Sequence, residues 1–80
     1  MPKYYYTYGD TDYMPFRGGW TVVIAPSRAA ANALFRQHHP DVHEHCLNCS
    51  DVYDAAEMAK TDMLRGGNRG AWCHEILEAN

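Results

Sequence analysis

Residues 3–8 read Lys-Tyr-Tyr-Tyr-Thr-Tyr, a run built almost wholly of aromatic and β-branched side chains. Such side chains fit a pleated, half-buried surface better than a helix, so the run predicts a strand. Alternation puts Tyr4, Tyr6 and Tyr8 on one face, with Tyr5 and Thr7 on the other. Residues 9–19 carry Gly, Asp and Pro turn signals and close on Gly18-Gly19. From Trp20 to Ala25 the β pattern resumes, with Trp20, Val22 and Ile24 sharing a face. The two runs predict a long-looped antiparallel hairpin on which the rest of the chain must pack.

After the hairpin the period changes. Pro26-Ser27 opens a helix, with the Ser27 hydroxyl as its cap. The helix is expected to run to about His38, because Pro40 cannot continue it and restricts His39. Ala30, Ala31, Leu34 and Phe35 recur at helical spacing and form its apolar stripe. Residues 39–48 are polar and His-rich, and predict irregular chain. Cys49 to Tyr53 predicts a short strand. Asp54 followed by Glu57 is a capping-box pattern that opens a second helix. Its expected buried stripe is Ala56, Ala59 and Met63, and Gly66-Gly67 is its expected stop. The stretch Ala71 to Leu77 alternates as a last strand. The order β-β-α-β-α-β predicts an α+β fold: a small antiparallel sheet of three to four strands with two helices packed on one face.

With 80 residues the chain is expected to form a single domain, residues 1–80, beginning at its own initiator Met. So short a chain needs large side chains to bury enough area, and six Tyr, two Trp and two Phe supply them. The formal charge of −3 is the opposite of the basic face that nucleic acid requires, so no direct nucleic-acid contact is expected and a basic partner is favoured. No apolar stretch is long enough to span a bilayer. The N-terminus lacks the apolar core of a signal peptide. Three cysteines are an odd number and read as reduced cytoplasmic thiols.

Several residue clusters bear on chemistry. Cys46-Leu47-Asn48-Cys49 has the spacing of half a zinc site, and His45, His43, Cys73 or His74 are the residues that could complete it. The alternative is that Cys49 and Cys73 are small buried hydrophobes and the histidines are solvated. A redox C-x-x-C is disfavoured, because the pair precedes a strand where the redox motif begins a helix. A Cys73–His nucleophile pair is conceivable, yet no motif supplies the rest of an active site. Asp10-Thr11-Asp12 lacks the later ligands of a calcium loop. Arg65-Gly66-Gly67-Asn68-Arg69-Gly70 is expected to be a helix stop and connection. Asp51, Asp54, Glu57 and Asp62 gather around the second helix, where they serve its dipole or a basic partner. No catalytic set and no cofactor are predicted, with zinc on Cys46, Cys49, Cys73 and His45 as the alternative. The expected partner-binding residues are Asp51, Asp54, Glu57, Tyr4, Tyr6 and Tyr13, since exposed phenols are enriched in interfaces.

Tyr4-Tyr5-Tyr6-Thr7-Tyr8-Gly9, Gly18-Gly19-Trp20, Phe35-Arg36, His39-Pro40-Asp41, Leu47-Asn48-Cys49 with Val52-Tyr53, and Gly67-Asn68 through Cys73-His74-Glu75 together resemble small proteins encoded by phages and prophages. The likeness runs over nearly the whole chain and carries no active-site motif. Size and mild acidity are also similar to those of anti-CRISPR proteins. The resemblance implies an inhibitor of a bacterial defence system that binds a CRISPR effector complex in the host cytoplasm and blocks its DNA or guide engagement. Such a protein would be a monomer or weak dimer and not an enzyme. A small zinc-stabilised accessory domain is the other expectation.

Overall fold

In a computed structural model describing residues 1–10, 12–63 and 72–79, the elements are β1 (Lys3–Thr7), β2 (Trp20–Ile24), α1 (Arg28–His38), β3 (Asp51–Asp54), α2 (Ala55–Ala59) and β4 (Cys73–Glu78). The strands form one sheet in the order β3-β1-β2-β4. β1 pairs antiparallel with β2, Tyr6 opposite Thr21, and antiparallel with β3, Tyr6 opposite Val52. β4 runs parallel to β2, so the sheet is mixed rather than antiparallel.

The expectation of both helices on one face is corrected. Tyr6, Tyr8, Val23, Ala25 and Leu77 are buried against Ala31 and Phe35 of α1. Trp20 and Val22, from alternate positions, are buried against Met58 of α2, with Tyr5, Ile24 and Tyr53 beside them. α1 therefore covers one face and α2 the other. Topology explains this arrangement. β2, β3 and β4 point the same way, so α1 and α2 each lie in a crossover connection, and these are almost always right-handed. The first crossover moves toward the β3 edge and the second returns to the β4 edge, so both are right-handed only with the helices on opposite faces.

Tyr6 anchors the α1 face. Its ring stacks on Phe35 with centroids 4.4 Å apart, and its hydroxyl donates to Asn32 Oδ1 at 2.7 Å. Ser27 caps α1 through Ala30 N–H at 3.1 Å. α2 is only five residues long, too short to persist alone. Asp54 Oδ1 accepts from Glu57 N–H, Glu57 Oε1 accepts from Asp54 N–H, and Arg28 reaches the same Glu57 oxygen at 2.9 Å. The buried residue of α2 is Met58, while Ala56 and Ala59 are exposed. Of the expected stripe, Met63 does pack against the Trp20, Val22 and Met58 cluster, from beyond the end of the helix at Ala59. The expected stop at Gly66-Gly67 and the basic loop at 65–70 lie outside the described residues.

Candidate functional site

The end of β1, the starts of β2, β3 and β4, and the C-terminus of α1 meet at one end of the sheet. The irregular segments gather there, and two features result.

The first is a polar chain. Trp20 of β2 pairs with Cys73, but the next residue, Thr21, pairs with Glu75, so His74 is an extra residue bulged out of β4. A bulge re-aims side chains. Here it turns His74 and Glu75 toward the α1 face together. Thr21 Oγ1 donates to Glu75 Oε1 at 3.0 Å and has only one hydrogen. Tyr8 must then donate its hydroxyl to Thr21 Oγ1, 2.6 Å away. His39 Nε2 bonds the same Glu75 oxygen. Burial raises the Tyr8 pKa well above that of a free phenol; the Thr21 hydrogen bond opposes the rise and the Glu75 charge adds to it.

His74 is held separately. Trp72 Nε1 donates to its Nδ1 at 3.0 Å, so its Nε2 must carry the proton that bonds Gly18 O at 2.8 Å. Its ring stacks on Phe16, centroids 4.3 Å apart. Gly18 and Gly19 are left-handed, with φ of 62° and 66°. A Cβ on Gly19 would lie 2.2 Å from Trp72 O and 2.8 Å from His74 Nε2, so the lead into β4 closes directly on the glycine backbone.

A carboxylate that orients an imidazole is half of a catalytic triad. Here the Thr21 hydroxyl is buried and already donates to that carboxylate, so the chain acts as a strut tying α1, β1, β2 and β4 together.

The second feature is a cleft of about 180 Å³ lined by Tyr13, Met14, Val42, His43, Cys46, Leu47, Asn48 and Cys49. Enclosed small-molecule sites run to roughly 300–1,000 Å³, so this one suits an ion or a single inserted side chain. Two tight turns shape its wall: Cys46 N–H bonds His43 O at 3.0 Å around a left-handed His45, and Cys49 N–H bonds Leu47 O at 2.8 Å. Tyr13 and Val42 on its rim are 63% and 53% exposed. Arg17 pairs with Asp10 and Asp12 within the loop between β1 and β2, and Arg36 in the last turn of α1 pairs with Asp41 just beyond it.

The predicted contact residues divide. Tyr13 is exposed at the cleft. Tyr6 is fully buried beneath α1 and leaves the contact surface, a correction that follows from α1 covering the even-numbered tyrosines. Tyr4 is half-buried on that face, with the Arg28 guanidinium over its ring at 5.7 Å. Asp51 is exposed at the β3 edge. Asp54 and Glu57 are engaged in the cap and with Arg28.

Cys46 and Cys49 share the cleft, but the structure does not bring Cys73 to them. It begins β4 at the opposite edge, about 14 Å away by strand spacing from the β3 edge that Cys49 leads into. His45 is exposed and faces Glu44 Oε1 at 3.3 Å. Among the described residues no group of three or more His, Cys, Asp or Glu is arranged to hold a metal, and no helix is long and apolar enough to cross a membrane.

The His39–Glu75–Thr21–Tyr8 chain was missed from sequence because it depends on the bulge, which leaves no mark in the alternation of residues 72–77. Val42 was missed as one apolar residue in a polar stretch. No family model matches the chain, and neither a curated protein nor a solved structure was found to be similar to it.

Proposed function

We propose that this protein works by docking on a macromolecular partner, and that the partner is a bacterial defence complex of the CRISPR type, which it inhibits. The observation that carries the binding role is the contrast at the loop end of the sheet. Inside, His39, Glu75, Thr21, Tyr8 and His74 hydrogen-bond one another or the backbone. Outside, Tyr13 and Val42 stand exposed around a cleft too small for most substrates. An exposed Tyr beside an apolar neighbour is the composition of an interface centre, where aromatic side chains supply most of the binding energy.

Charge supports the choice of partner. The net charge of −3 complements a basic surface, and surfaces of effector complexes that hold DNA or guide RNA are basic. In this reading, Tyr13 and Val42 make the apolar contact and Asp51 adds a charge at the sheet edge. Asp54, Glu57 and Tyr4 hold the surface in shape, and no cofactor takes part.

The test is a plasmid-interference assay in bacteria carrying active CRISPR systems of several types. Restored transformation in one type is expected. No rescue in any type would remove the CRISPR assignment.

A further inference from the structure

We propose that Cys46 and Cys49, with the thioether of Met14, form a binding site for copper(I) in the cleft beside Tyr13. The proposal is independent of the docking role. Its basis is the placement of three sulfur side chains on one small cavity. The successive turns at 43–46 and 47–49 fold this segment back on itself, so that Cys46 and Cys49 line the same cleft of about 180 Å³ as Met14. Met14 enters from the loop between β1 and β2, its sulfur accepting one weak hydrogen bond from Gly9 N–H at 3.3 Å. A second lone pair on that sulfur remains available.

The donor set selects the metal. Zinc takes four ligands in a tetrahedron; the third cysteine lies at the far edge of the sheet, and His43, though it lines the cleft, is not grouped with Cys46 and Cys49 to hold a metal. Thiolates and thioethers are soft donors, the kind that selects copper(I). Two thiolates and a thioether match its low coordination number. Cys46 is exposed and offers an entry path. Cys49 is half-buried on the cleft wall. Binding forms three Cu–S bonds, two to thiolates and one to the thioether, breaks two S–H bonds and releases two protons; the copper(I) leaves its carrier ligand and no electron is transferred. Proton release makes the affinity rise with pH.

The experiment is an anaerobic titration of the reduced full chain with the copper(I)–bicinchoninate complex, followed by the loss of its colour. One copper(I) per chain is expected. Cys46→Ser is expected to weaken binding by at least about 100-fold and Met14→Leu by roughly tenfold, while Cys73→Ser leaves it unchanged. Cys46 is exposed, so circular dichroism of Cys46→Ser should match the parent and separate lost ligation from lost fold. Copper left entirely with bicinchoninate would overturn the site. A Cys73→Ser loss equal to that of Cys46→Ser would also overturn it, as would zinc held in preference to copper(I).

Discussion

Thr21 is fully buried in a central strand and carries the middle of the polar chain, so Thr21→Val is the most informative single perturbation of the fold. Valine keeps the β-branched shape and removes only the oxygen. Two bonds go with it. The buried Tyr8 hydroxyl loses its partner, which costs about 1–3 kcal/mol. Glu75 loses a charge-assisted bond, but its side chain is 26% exposed, so water recovers part of the loss and about 1 kcal/mol is the fair figure. Together these make about 2–4 kcal/mol, against roughly 4–12 kcal/mol for a domain of this length. The melting temperature should fall by roughly 10–25 °C, with the far-ultraviolet spectrum of the folded state unchanged.

Adding Tyr8→Phe to Thr21→Val removes the stranded hydroxyl, so the double variant should cost less than the sum of the singles by about 1 kcal/mol or more. Thermal and urea unfolding of the four proteins close the cycle. A Thr21→Val cost under about 0.5 kcal/mol, or strict additivity, would refute the network as described.

Two more predictions follow from backbone and titration. Gly19→Ala places a methyl on Trp72 O at a left-handed φ and should destabilise by several kcal/mol, about 3 or more, while Gly9→Ala, with nothing within 4 Å, should stay within about 1 kcal/mol; chemical denaturation of both checks this. Burial raises the pKa of Cys49, Tyr6 and Tyr8 in the folded state, so the unfolded chain loses those protons first. Their contribution is complete below pH 9.0 and fades as pH rises toward 11 and beyond; urea midpoints measured across that range should fall, and a flat profile would contradict the burial of these groups.

The hairpin was legible because Tyr4, Tyr6 and Tyr8 alternate without interruption and a glycine pair fences Trp20. Ser27 and the Asp54–Glu57 pair announced both helix starts for the same local reason: a capping side chain bonds backbone three residues away. What was not legible is non-local. Whether α1 covers Tyr6 or Tyr5 depends on the direction of each crossover, and β4 pairs with β2 across 54 positions of chain at Thr21–Glu75. The bulge at His74 arises from that pairing and from the close approach to Gly19. It overrides the alternation that would have sent His74 and Glu75 to opposite faces. Of the candidate surface, exposed Tyr13 was legible from its loop. Tyr6 was not, since burial of one tyrosine face rather than the other is settled by the helix that packs on it.

The central claim is that the surface around Tyr13 and Val42 binds an effector complex. Its most direct test is the affinity of the purified chain for the effector complex of whichever CRISPR type the interference assay identifies, compared with a Tyr13→Ala, Val42→Ser variant. Both residues are exposed, so the variant should melt within a few degrees of the parent. Binding is predicted to weaken by at least about 30-fold, some 2 kcal/mol, the loss expected when an interface centre is removed. Unchanged affinity in a folded variant would contradict the account.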